Sequence, residues 1–518
     1  MKAGRSSHCA NTGGDDCATT GGKDADRSTF EQGLPRVSTT ALPDAAAQVA
    51  ALQAQLLYAG LDLSPAGVPG TSLITIELDD LAAATPSIIA HAESLLRESL
   101  PLTVGVLRGP LTSAIAPVLD ALTVTLIETP AEYLRREGMR ELSEASSDAR
   151  NSARGHTRVA ALGPENSPVT VADARELNLR QEVVPVVGVD AALEHLRAAV
   201  AYAPQAALAC GQLLKRTGGA DTTAALAAEA AVYSMLLGGN EFARWLIERD
   251  AARSVRAPEG DVHGVSDVHS VSDVHGVSDV HGVSGASGVS GGGGVSGGGG
   301  VSGGGGVSAG GVRFPREGSS PEADSAAARD SHSATDLVQL RREGSRLAIV
   351  LAHASRRNAL SVRMREELLA ALTVAESDPG IDAVEFRGAG PAFCSGGDLS
   401  EFGAATDPVA AYLVRLDRAP WRVLDRIAGR LTAQVHGACI GAGAEMAAFA
   451  GHVVAAPDTW FRFPEVAMGL IPAAGGTVSV PRRIGRWRAA WLMLTGTPLS
   501  ADEAHRWGLV DDVTGTPG

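Results

Sequence analysis

GAGPAFCSGGDL (388–399) and HGACIGAGAEMA (436–447) each close a β-like run with small residues and then open a helix. The preceding runs, AVEFRG (383–388) and LTAQVHG (431–437), are rich in strand formers. Upstream of them, LVQLRREGSRLAIVLA (337–352) reads as a hairpin turning at Gly344. Met364, Leu368 and Leu372 mark one face of a helix. Strand and helix signals alternating in this way predict an α/β domain with mostly parallel strands.

The two turns also carry the chemistry. Small residues let a ligand approach the backbone closely, and a helix N-terminus presents N–H groups with a partial positive charge. Two such turns facing one point would stabilise an oxyanion. Each turn alone is equally a packing feature or a phosphate loop. Two acids sit in apolar surroundings, Glu445 in GAGAEMAAFA and Glu465 in FPEVAMGLIPAAGGT. A buried acid is costly unless it is paired or functional, and two in one pocket can divide acid and base roles. The bland reading of either is a helix N-terminal charge or a structural hydrogen bond.

Five motifs occur in order over about a third of the chain: ASRRNALS (354–361), FCSGGDL, HGACIGAGAE, FPEVAMGLIPAAGGT and LTGTPLSADEAHRWGLVDDV (494–513). The set resembles the crotonase superfamily, the enoyl-CoA hydratase/isomerase family. The resemblance implies a superhelix of stacked ββα turns with CoA bound across them. It implies an oxyanion hole from the backbone N–H groups of Ser395 and Ala442, with Glu445 and Glu465 as the catalytic pair. Arg356, Asn358, Ala359, Gly396, Gly397, Asp398 and Gly441 would contact CoA or substrate, although Asp398 also reads as a brace of the first turn. No cofactor is implied, because the CoA thioester is itself the substrate. Two glutamates favour hydration of a 2-enoyl-CoA. The alternatives are an isomerase or another specialised acyl-CoA reaction of the family, and a non-catalytic CoA-binding or assembly protein. Relatives are commonly trimers or hexamers, which suggests a homo-oligomer. Arg357 departs from the Arg-Pro pair usual in the first motif, and Cys394 and Cys439 read as buried small side chains.

The chain stops after GLVDDV, where the family continues with a helical module. Such a module occurs upstream instead. VTVADARELNLRQEVVP (169–185) resembles LSADEAHRWGLVDDV, and the helical run ending in LLGGNEFARWLIERDAARS resembles the family tail. LPLTVGVLRGPLTSAIAPVLDALTVTLIE (100–128) resembles the strand–turn–helix around HGACIGAG, with Pro117 in the place of Glu445 and Gly138 near that of Glu465. The reading is therefore of two crotonase-like units joined by a low-complexity linker. Residues 1–36 form a disordered tail, 37–256 a degenerate unit with a helical tail, 257–334 a Gly/Ser/His-rich linker, and 335–518 the catalytic core. Leu52, Leu56, Leu57 and Leu61 mark an early helix face, SLITIEL (72–78) a strand, and Ala224 to Glu248 one helical run. The linker contains four DVHxVS repeats over 261–284 and three VSGGGG repeats over 289–306. A coil of its length spans about 45 Å, compatible with many dockings of the two halves.

The net charge of −15 argues against general nucleic-acid or membrane-surface binding, which needs a basic patch. Five cysteines without a CxxC pair argue against a disulfide framework or zinc site. No apolar run reaches the length of a membrane span, and the N-terminus has no signal-type stretch, so a cytoplasmic setting is expected.

Overall fold

The computed structural model describes residues 47, 50, 60–129, 181–256 and 336–514. The expectations for the N-terminal tail, the helix face at Leu52–Leu57, the linker and Gly138 lie outside the described residues.

Downstream of the linker, strands β5 (Val338–Glu343) and β6 (Arg346–Leu351) form the hairpin expected around Gly344. Leu347, Ile349 and Leu351 point inward on alternate positions of β6, as one buried sheet face requires. β5 is the sheet edge and carries Arg341 and Arg342, charges that discourage edge-to-edge pairing. The sheet continues in parallel through β7 (Ala383–Gly388), β8 (Leu431–Val435), β10 (His452–Ala455) and β13 (Asp512–Val513). A second layer holds β9 (Ala438–Ile440), β11 (Trp460–Arg462) and β12 (Leu499–Ser500).

Upstream, β1 (Leu73–Glu77), β2 (Leu102–Leu107), β3 (Val124–Glu128) and β4 (Val184–Val186) form an all-parallel sheet in sequence order. The same parallel order links β7, β8, β10 and β13. Between β2 and β3 lies the short helix α2 (Ala116–Ala121), following α1 (Pro86–Glu98). Helices α3 (Val189–Tyr202), α4 (Pro204–Thr217), α5 (Thr222–Leu237) and α6 (Asn240–Arg256) complete this half. The sequence suggested one helical run from Ala224 to Glu248, but the chain breaks it. Gly238 and Gly239 donate to the carbonyls of Met235 and Leu236, closing α5 before α6 begins. Consecutive glycines weaken helix propensity at that point. Glu241 at the head of α6 accepts from Gln205 N (2.8 Å) and Ala206 N (2.9 Å), capping α4.

The downstream helices are α7 (Val362–Ser377), α8 (Pro408–Asp417), α9 (Pro420–Ile427), α10 (Ala442–Ala447), α11 (Gly476–Thr495) and α12 (Ala501–Trp507). Helix α11 joins the halves. It bends at Gly485 (φ 80°, ψ 152°), which turns Arg486, Trp487 and Arg488 toward the upstream sheet. Arg486 donates to the Leu122 carbonyl (2.9 Å), Trp487 Nε1 to Leu119 O (3.0 Å) and Arg488 Nε to Val183 O (3.2 Å). One continuous apolar core runs from Leu102 and Leu196 through Phe386 to Leu492 and Val510. The freedom of docking that the linker length allows is thus not used. The apolar face of α11 is buried against α3, α4 and α5, and exposing it would forfeit roughly 25 cal/mol for each Å².

Candidate active site

The two small-residue turns meet. Cys394 bridges Cys439 in parallel, and Ile440 N donates to Cys394 O (3.0 Å). A Cβ on Gly443 would lie 2.6 Å from the Cys394 carbonyl, so only glycine permits this approach. Both cysteines are buried free thiols, and burial pushes Cys394 up to about 12, which removes it as a nucleophile.

Glu445 lies in the first turn of α10, 1% exposed. Its Oε2 accepts from Ala474 N (2.6 Å) and Gly476 N (2.9 Å). Burial raises its pKa well above 4.5, with the charges of Glu465 and Glu229 adding, while the two N–H bonds oppose the shift. Glu465 heads a 3-10 turn, Val466–Met468, and its carbonyl accepts from Met468 N and Leu470 N. Its Oε2 is shielded from solvent and has no hydrogen-bond partner among the described residues. An orphaned acid oxygen of this kind is uncommon in a folded protein. Burial pushes Glu465 up to about 8. Its Oε1 is packed against the Gly441 Cα, where any Cβ would overlap it. Gly441 also has φ +47°. We expect Gly441→Ala to displace the Glu465 carboxylate and lower turnover about 10-fold or more, measured as steady-state kcat.

Ala442 is the first residue of α10, where a backbone N–H has no intrahelical acceptor. Ser395 departs from expectation. Its N–H is donated to the Arg357 carbonyl (3.0 Å), made possible by the left-handed Arg357 (φ +51°), so in this conformation it is not a free oxyanion donor. Asn358 is a second correction. It is fully buried, its Nδ2 donates to the carbonyls of Ala389, Ala392 and Phe393, and its Oδ1 accepts from His353 N. With its polar groups committed, Asn358 ties the 389–393 loop rather than reaching a ligand.

Arg356 is paired with Asp398 (3.0 Å) and also donates to Ser400 Oγ (3.2 Å), with its side chain about half exposed. Asp398 in turn accepts from Ser400 N (2.9 Å). Burial works against the charge of Asp398, but the Ser400 and Arg356 contacts outweigh it and hold its carboxyl below the usual range. The pair braces the first turn. Ala359 is buried, Gly396 (φ +93°) accepts from Leu360 N (2.8 Å), and Gly397 bridges Leu360, leaving no room for a side chain before the Phe402 ring.

A third carboxylate joins the pair from the upstream half. Glu229 on α5 is 1% exposed and accepts from Gly475 N (2.8 Å), Thr477 N (2.9 Å) and Thr477 Oγ1 (2.6 Å). Burial raises it to about 7, against the pull of those bonds and of Arg415. Sequence reasoning passed over it, although a lone acid in LAAEAAVY satisfies the same rule that singled out Glu445. Among the described residues no helix is long and apolar enough to cross a membrane, and no His/Cys/Asp/Glu group could hold a metal ion.

The raised carboxyls set a pH dependence. The folded chain keeps protons on Glu229 (to about 7) and Glu465 (to about 8) that the unfolded chain releases near 4.5. Their stability contribution is therefore complete below about 4.5 and lost as pH rises through 7 to 8. Thermal melts should show Tm falling between pH 6 and pH 9, and falling less in Glu465→Gln.

A stacked α/β core with two apposed small-residue turns and buried glutamates defines a two-carboxylate site. Residues 342–516 match the family model described as enoyl-CoA hydratase/isomerase. Over 167 residues it is 34% identical to the 2,3-dehydroadipyl-CoA hydratase of Escherichia coli, covering 32% of this chain and 65% of that one. It is 32% identical over 173 residues to the mevalonyl-coenzyme A hydratase of Aspergillus fumigatus, covering 62% of it. The chain thus spans just under two thirds of these curated relatives. An enoyl-CoA hydratase subunit I structure from Geobacillus kaustophilus matches at 34% identity and TM-score 0.33, over 35% of this chain and 69% of that one.

Proposed function

We propose that the chain hydrates a 2-enoyl-CoA thioester at Glu445 and Glu465. The observation that carries this reading is the buried pair itself, with Glu465 Oε1 against Gly441 and its Oε2 unpartnered. Two N–H groups hold Glu445 Oε2 and favour its ionised form, against the burial that raises its pKa. Glu445 takes a proton from a water molecule whose hydroxyl adds to the β carbon. The electron pair of the double bond moves onto the thioester oxygen, next to the Ala442 N–H. Glu465, held protonated at neutral pH by burial, delivers a proton to the α carbon. No cofactor enters this scheme. A second oxyanion donor at Ser395 requires its bond to Arg357 to open when substrate binds.

The upstream half is read as a degenerate crotonase-like unit. The strand order β1–β4, matching β7, β8, β10 and β13, supports this, and Pro117 at the position of Glu445 leaves it without the acid. The test is hydration of crotonyl-CoA and of a longer 2-enoyl-CoA by the full-length protein. 3-Hydroxyacyl-CoA product supports the reading. A shifted double bond without added water would favour an isomerase, and CoA thioester binding without turnover a non-catalytic role.

A further inference from the structure

Glu229 has no part in that chemistry, yet it is as buried as Glu445 and contacts the same stretch of chain. Four consecutive N–H groups, Ala474 to Thr477, point alternately at two carboxylates. Glu445 takes those of Ala474 and Gly476, and Glu229 takes those of Gly475 and Thr477. The stretch, PAAGGT, has little side chain of its own to fix it, and Gly475 sits at φ +89°. A Cβ on Gly476 would lie 2.5 Å from Glu445 Cγ, so the turn and the Glu445 side chain are in full contact. Where the turn goes, Glu445 goes.

We infer that Glu229 is a positioning residue: it holds the 474–477 turn from behind, aims the Glu445 carboxylate, and makes the downstream reaction depend on a helix from the other side of the linker. The inference rests on the two-glutamate reading above. Its physical basis is the cost of leaving a buried N–H without an acceptor. If Glu229 were withdrawn, Gly475 and Thr477 could regain acceptors only by rotating the turn and pulling Ala474 and Gly476 away from Glu445.

The surroundings support a role beyond packing. Arg415 on α8 faces Glu229, stacks over the Tyr233 ring at 3.6 Å and donates to the Ala473 carbonyl (2.8 Å), tying the same turn from a third side. Glu445, Glu465 and the buried Cys210 thiol of α4 also lie within electrostatic reach of Glu229. The Glu229 charge raises both catalytic carboxyls, so removing it should let them ionise more readily.

The test uses the full-length chain with Glu229→Gln, a near-isostere that turns an NH2 group toward donors. The expected result is kcat lower by about 10-fold or more with KM within about 3-fold, and an alkaline limb of the kcat–pH profile moved to lower pH. Amide hydrogen exchange, which needs no turnover, should speed up in the peptide carrying 474–477 and stay unchanged over the β5–β6 hairpin. Wild-type kcat, pH limb and exchange in Glu229→Gln would overturn the inference, as would a lowered Tm with kcat, pH limb and exchange all unchanged. If Glu445→Gln keeps wild-type activity, the two-glutamate reading fails instead, and the exchange data still decide whether Glu229 holds the turn.

Discussion

Glu445→Gln and Glu465→Gln should each lower the turnover of crotonyl-CoA by about 10²–10⁴-fold in the full-length protein, the range that a positioned acid or base contributes. KM should change less than kcat, because the two carboxylates act on the reacting carbons rather than on the CoA moiety. The substitutions are close in shape and each removes a buried ionisable group, so the folded state should survive, and Tm above pH 8, where Glu465 is charged, should rise in Glu465→Gln. The double variant should be scarcely worse than either single one, since acid and base act in one step and their losses are not additive. The two variants also discriminate between reactions. A loss in both marks addition of water. A loss confined to Glu465→Gln marks an isomerase working through one acid/base group. The wild-type rate should fall above about pH 8, where Glu465 gives up the proton that the α carbon needs.

The downstream half was readable because its signals are local. Strand runs ending in small residues, the acids in apolar stretches and the order of five motifs all lie within a few residues of each other along the chain. The parts that were not readable depend on distant segments. Asn358 looked like a ligand contact because it sits in a motif, yet its three carbonyl partners at 389–393 show a clamp. Ser395 looked like a free donor, but the left-handed Arg357 brings a carbonyl to its N–H. Glu229 carried the same signal as Glu445, an acid among alanines and leucines. Its partners, Gly475 and Thr477, lie about 250 positions away, and nothing in a single sequence pairs them. The Ala224–Glu248 run was divided by a Gly-Gly step that periodicity alone reads through.

Separating the halves should have opposite effects depending on how it is done. A protease site placed in the repeats and cut in the folded full-length protein should leave the two pieces co-eluting on gel filtration, with turnover within about 2-fold of the uncut chain. The shared core and the bonds from Arg486, Trp487 and Arg488 hold them, so the covalent connection adds only effective concentration. Residues 335–518 expressed without the upstream half should instead aggregate or lose activity by about 10³-fold or more. In that fragment the apolar side of α11 faces water, and the 474–477 turn loses Glu229 while Gly469 loses its packing against Glu241 and Phe242. Adding back Glu229 alone cannot repair this, because the acid is aimed by α5, and α5 is held by Asp221 at its N-cap and by α4 beneath it. A soluble, fully active 335–518 fragment would show that the upstream helices are a scaffold. Loss in the fragment with retention in the cut chain would make this one active site assembled from two ends of a polypeptide, with the repeats as its tether.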